Sequence, residues 1–135
     1  MSVVKTINPD IVIVIDSLMS QSIDRIGCSI QLGNTGIVPG AGVRNKRMAI
    51  NQETLNIPVI AIGVPTVVDV ATITNFTIDK LEQDSKIKVN FDRQNSYKML
   101  AEVLNTENYI VTPKEIDEII QKVSEIISSA LNVAL

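Results

Sequence analysis

The residues Ile11 to Ile15 form an unbroken β-branched run, IVIVI, and the period changes after Asp16. Such a run predicts a strand buried on both faces of a parallel sheet. Beyond Asp16, Leu18, Ile23 and Ile26 fall at helix-compatible spacings, and Gly27 supplies a stop. The start of the chain therefore reads as a strand followed by a helix, with Asp16 at the strand's C-terminal end. Cys28 to Leu32 alternates weakly and predicts a second strand. Pro58 to Val64, PVIAIGV, predicts another buried one. The Val- and Thr-rich segment after Pro65 has strand propensity. Yet Val67, Val70, Ala71, Thr74 and Ile78 share a helical face, and Pro65 suits a first-turn position. The expectation is a helix from Pro65 to about Gln83.

The remaining segments are read the same way. Val3 to Ile7 is short and mixed, and Gln52 to Leu55 suits a single helical turn. The polar stretch Asp84 to Arg93, with Ile87, Val89 and Phe91 alternating, suggests an exposed excursion or edge hairpin, and Ser96 to Leu104 a further helix. At the C-terminal end, Thr112 can cap a helix, Pro113 suits its first position, and Glu115 completes a T-x-x-E capping box. Ile116, Ile119, Ile120, Val123, Ile126, Ile127, Ala130 and Leu131 then form an apolar stripe that predicts core packing. Strands separated by helices imply an α/β domain with a mainly parallel sheet. With 135 residues and 45% hydrophobic content, a single domain spanning 1–135 is expected. Working crevices of such sheets lie beyond the carboxyl ends of the strands. Asp16, the loop after Leu32 and the segment Pro65 to Asp69 each follow a predicted strand, which gathers them at one edge.

That loop, GNTGIVPGAGVRNKRMAI from Gly33 to Ile50, holds four of the six glycines. Clustered glycine marks backbone that turns sharply or approaches another group closely. The spacing of Gly33, Gly36, Gly40 and Gly42 matches neither G-x-x-x-x-G-K-[ST] nor G-x-G-x-x-G, which disfavours nucleotide binding. The loop reads instead as a wall of a substrate cleft. Thr35, Gly36, Gly40 and Gly42 shape it, and Asn45, Lys46 and Arg47 offer polar contacts that suit acidic or amide-rich peptides. The alternative is an exposed turn with incidental charge.

Composition narrows the chemistry. The chain has no histidine, which excludes Ser-His-Asp and Cys-His catalysis within it and imidazole metal sites. Cys28 is the only cysteine, so no intramolecular disulfide or multi-cysteine metal site forms, and a buried structural thiol is expected. The net charge of −3, scattered basic residues, and two Phe, two Tyr and no Trp argue against direct nucleic-acid binding. The longest apolar run begins at Pro58 and is broken by Pro65 and Asp69, short of the roughly 20 residues a membrane span needs. No secretion signal is read at the N-terminus. These features lead to the expectation of a soluble, cytosolic protein with no metal and no cofactor.

A carboxylate at the end of a buried strand is partly desolvated and is a competent proton acceptor near neutrality. Asp16 has that setting in the sequence reading, and capping a helix begun near Ser17 is its alternative role. Asp69, inside an apolar helical pattern, is either a second acid or a structural carboxylate. Asp10, Asp24, Asp79, Asp84, Asp92 and Asp117 read as loop or solvated-face residues.

The segments IVIVID, GNTGIVPGAGVRNKRMAI and NIPVIAIGVPTVVDVATI, in that order, resemble the C-terminal half of the germination protease family of bacterial spore endopeptidases. The resemblance runs from Asn8 to Leu81 and resumes from Tyr109 to Leu131. It implies an atypical aspartic peptidase, with Asp16 standing where one of two essential aspartates lies. The other belongs to an N-terminal portion that this chain lacks, so the chain is expected to be inactive alone. The resemblance further implies a three-layer α/β/α sandwich of the phosphorylase/hydrolase-like kind. It implies degradation of small acid-soluble spore proteins during germination, in the cytoplasm of the spore core. The enzyme would be a homo-oligomer made as a zymogen. A non-enzymatic binding or assembly module that keeps the protease scaffold is the competing reading.

Overall fold

A computed structural model describes residues 2–40, 47–85 and 109–135, together with Asp92, Asn95, Lys98, Met99, Glu102 and Val103. The chain is α/β, with a mixed four-stranded sheet. Its elements are α1 (Ser2–Ile7), β1 (Val12–Ser20), a 3-10 turn (Ile23–Arg25), β2 (Gln31–Gly33), α2 (Gln52–Leu55), β3 (Val59–Asp69), α3 (Val70–Ser85), β4 (Ile110–Val111) and α4 (Ile116–Ala134). The strand order is β1-β3-β2, with β4 also pairing β3. A mainly parallel sheet was the expectation, but β3 runs antiparallel to both β2 and β4. The connections from β2 to β3 and from β3 to β4 are long enough to return the chain in either direction, so they do not impose parallel pairing. The chain forms two compact units, 1–18 with 29–64 and 19–28 with 65–135.

The first unit is built on the N-terminal part of β3. Val59, Ala61, Ile62 and Val64 are buried there. Gln31, Leu32 and Gly33 pair with Gly63, Ile62 and Ala61. The amide of Val12 donates to the carbonyl of Pro58 at 2.9 Å, and the Leu18 side chain occupies the space a Cβ on Gly63 would need. Gly63 thus lets the strands approach closely. β1 is less covered than its apolar run predicts. Val12 to Val14 are half-buried, and Ile11 and Ile15 are exposed. The predicted helical turn is present as α2. Asn51 and Thr54 cap it reciprocally, each side chain taking the other's backbone amide, at 2.9 and 3.2 Å.

The second unit contains the continuation of β3. Val68 and Asp69 pair with Val111 and Ile110, and the core gathers Ile26, Pro65, Val68, Ala71 and Ile127. Gly27 adopts a φ of +65°, donates its amide to the carbonyl of Pro65 at 2.8 Å, and lies against the Ile119 side chain of α4. A Cβ at Gly27 would collide with Ile119 Cγ2.

Three boundaries differ from the sequence reading. First, β1 does not stop at Asp16 but continues to Ser20, and only the short 3-10 turn follows where a helix was expected. Pairing in the sheet overrides the weak helical spacing of Leu18, Ile23 and Ile26. Second, Pro65 does not open a helix. It lies inside β3, and α3 begins at Val70. β2 pairs with residues 61–63 and β4 with 68–69, so the missing amide of Pro65 falls between the two ladders and breaks neither. Strand propensity then decides, and α3 runs on to Ser85 rather than Gln83. Third, the capping box at Thr112 does not form. The Thr112 hydroxyl donates to the carbonyl of Thr66 at 2.9 Å, and α4 begins at Ile116 with Glu115 at its N-cap and no side-chain cap bond. Asp117 and Glu118 in the first turn offset the helix dipole instead. Along the predicted stripe, Ile127 is buried and Ile116, Ile119, Val123 and Leu131 are half-buried, whereas Ile120, Ile126 and Ala130 are exposed. The hairpin expected at Asp84 to Arg93 lies almost wholly outside the described residues. Of the helix expected at Ser96 to Leu104, the described Lys98, Met99, Glu102 and Val103 are helical.

Candidate functional site

Asp16 sits in the interior of β1, half-buried, between exposed Ile15 and exposed Ser17. Its Oδ1 accepts the amide of Ser17 at 2.9 Å. No helix begins at Ser17, so the capping role open to Asp16 in the sequence is absent from the fold. What remains is a carboxylate carried on a strand, which holds a side chain more rigidly than a loop does.

The glycine loop closes on itself within the first unit. Ile37 and Ile50 exchange both backbone hydrogen bonds, at 2.9 and 2.8 Å, and the Arg47 amide donates to the carbonyl of Pro39 at 3.2 Å. Gly36 is held at a φ of +77° at the mouth of this closure, where a Cβ would collide with the carbonyl oxygen of Ile50. Gly40 also has a positive φ, 73°. Thr35 and Arg47 are exposed. Gly42, Asn45 and Lys46 lie outside the described residues.

Asp69 ends β3 in the second unit and is buried. Its Oδ1 accepts the Thr72 amide at 2.6 Å, the geometry of an N-cap on the third residue of α3. It stands at the wall of an open cavity of about 560 Å³. Met19, Ser20, Gln21 and Ser22 line the cavity from the end of β1 and the turn after it, and Thr72, Asn75, Phe76 and Asp79 from α3. The α3 contributors recur at three- and four-residue intervals and so occupy one helix face. The Ser20 hydroxyl is buried, donating to the carbonyl of Ser22 and accepting its amide at 3.2 Å, which ties the turn to the strand end.

Asp79 corrects the sequence reading, because it is half-buried on this wall rather than on a solvated face. Ser20, Gln21, Asn75 and Phe76 join it on this wall without any motif in the sequence that marks them. The sequence signal is the polar positions 72, 75 and 79, which share one face of α3 at three- and four-residue spacing. Cys28 is exposed, not buried, since it falls in the turn after the 3-10 segment. Among the described residues no three His, Cys, Asp or Glu side chains are grouped to hold a metal ion. Among them too, no helix is long and apolar enough to cross a membrane.

Residues 1–95 match the family model described as germination protease. Proteins named germination protease are similar over nearly the whole chain. The one from Clostridium tetani is 49% identical over 96% of this chain and 44% of its own length. That from Caldanaerobacter subterraneus is 47% identical over 98% of this chain and 45% of its own. The Bacillus cereus protein is 37% identical, covering 98% and 48%. The chain therefore spans less than half the length of these relatives.

Proposed function

The chain belongs to the germination protease family, and on that premise we propose that it is the part of an aspartic-type endopeptidase that contributes Asp16 to the reaction. Peptide hydrolysis by paired carboxyls uses one proton shared between two acids. The ionised carboxylate takes a proton from water as the oxygen attacks the scissile carbonyl. The protonated partner donates to the carbonyl oxygen, and the leaving nitrogen is protonated as the C–N bond breaks. Asp16 supplies one of these groups. On this reading the second comes from the portion of the full-length enzyme beyond this chain, and Asp69 serves as the cap of α3.

The observation that carries this reading is the position of the Asp16 carboxyl, held on strand β1 and capping no helix. On this reading the described parts of the glycine loop, 33–40 and 47–50, wall the cleft, and the exposed Arg47 meets acidic or amide-bearing substrate groups. Small acid-soluble spore proteins, degraded in the spore core during germination by a homo-oligomer formed from a zymogen, are the substrate and setting that fit the family.

Replacement of Asp16 tests the proposal. In the full-length protein, Asp16→Asn is expected to lower turnover by about 10²–10⁴-fold, the contribution of a positioned acid–base group. The unfolding midpoint should stay nearly unchanged, since the asparagine Oδ1 can still accept the Ser17 amide. Near-normal turnover in a folded variant would remove Asp16 from the mechanism.

A further inference from the structure

We propose that the free edge of β1 takes a strand from the part of the full-length protein beyond this chain, and that this strand carries the second carboxyl to Asp16. The role of that carboxyl rests on the endopeptidase reading above. Among the described residues β3 is the one sheet neighbour of β1. The Val12 amide donates to the Pro58 carbonyl at the start of β3, so it points toward that strand. Backbone groups alternate in direction along a strand, which turns those of Val14 and Asp16 the same way and those of Ile13, Ile15 and Ser17 toward the free edge. The Asp16 carboxyl reaches that edge too, because its Oδ1 accepts the Ser17 amide at 2.9 Å. The backbone groups of Ile13 and Ile15 form the ladder that an incoming strand extends.

The strand is not built to stay open. Proteins blunt an exposed edge with short strands, charges or proline. β1 has nine residues, no proline, and Asp16 as its one charge. The IVIVI run has the composition of a strand with neighbours around it, yet Ile15 is exposed. The chain spans less than half the length of its relatives, so ample chain lies outside it to provide the missing neighbour. A paired strand is also a direct route for the second acid. Residues opposed on neighbouring strands have Cβ atoms about 4.5–5.5 Å apart, near enough for two aspartate carboxyls to share a proton.

Hydrogen exchange and cross-linking on the full-length protein test this. Residue-resolved exchange is expected to show the Ile13 and Ile15 amides protected at least about 100-fold with no peptide added, as in a paired strand. Fast exchange at both, beside a slow Val12 amide, overturns the pairing. Protection that arises only when a substrate peptide is added to Asp16→Asn overturns it too, by giving the edge to substrate. A benzophenone amino acid in place of Ile15 then identifies the neighbour. Irradiation is expected to join position 15 to a segment of the rest of the protein, with an Asp or Glu close to the join. Cross-links within residues 1–135, or between two copies, overturn the proposal. Replacing that acid by its amide should lower turnover by about 10²–10⁴-fold and leave the protection of Ile13 and Ile15 unchanged. Near-normal turnover would remove the second carboxyl from this strand. Failure of the peptidase reading shows separately, as absence of hydrolysis by the unmutated full-length protein, and the exchange and cross-link results still decide the strand.

Discussion

A buried carboxyl requires a partner, and Asp69 has one in the Thr72 amide at 2.6 Å. Removing the side chain leaves that amide without its acceptor at the start of α3. Asp69→Ala is therefore expected to cost about 1–2 kcal/mol, read from the urea midpoint, whereas Asp69→Asn keeps most of the cap. The same pair separates capping from catalysis. If Asp69 only caps, Asp69→Asn in the full-length protein retains turnover within a fewfold, and a loss comparable to that of Asp16→Asn would make it the second acid. At this scale the sequence was informative where chemistry depends on residue type. The lack of histidine excludes imidazole chemistry from this chain, and the cap that Asp69 forms is compatible with either role read for it. The sequence was silent where chemistry depends on exposure. Cys28 is exposed and Asp79 half-buried because of where a turn and a helix face fall, and neither follows from residue type.

Elements were legible when both local preference and tertiary pairing agreed. α2, with Asn51 and Thr54 at its start, and the apolar core of β3 are such cases. Pro65 is the opposite case. Proline at a first-turn position is a good local signal, but the gap between the β2 and β4 ladders leaves room for it inside the strand. Thr112 likewise had a local capping partner in Glu115 and took a nonlocal one, the Thr66 carbonyl. A contact of α4 is just as nonlocal, joining Gly27 to Ile119. Gly27→Ala is expected to destabilise by more than about 1 kcal/mol from its positive φ alone, with the Ile119 collision added. Ile119→Ala removes the collision but not the backbone strain. The double variant should thus be less destabilised than the sum of the two singles, by about 0.5–3 kcal/mol in a denaturation cycle. Simple additivity would mean that the two residues do not touch in solution.

At the scale of the molecule, two observations bear on what this chain does by itself. It spans less than half the length of the germination proteases it resembles. It also leaves large apolar side chains in solvent, with Leu32 on the three-residue strand β2 74% exposed and Val133 near the end of α4 90% exposed. Monomers rarely tolerate extensive apolar exposure, and an edge strand without charge invites pairing with another chain. The chain alone is therefore expected to self-associate at micromolar concentration, measured by sedimentation, and to bind a hydrophobic-surface dye. Leu32→Lys places a charge on the β2 edge and should shift the distribution toward monomer. On the proposed two-carboxyl mechanism, peptidase activity should be absent from the chain alone and should appear on mixing with the rest of the full-length protein. Hydrolysis by the chain alone that is lost in Asp16→Asn would show that its second acid lies within these residues. A monomer that binds no dye would mean that the exposed side chains need no cover, and that the chain is self-sufficient as a folded domain.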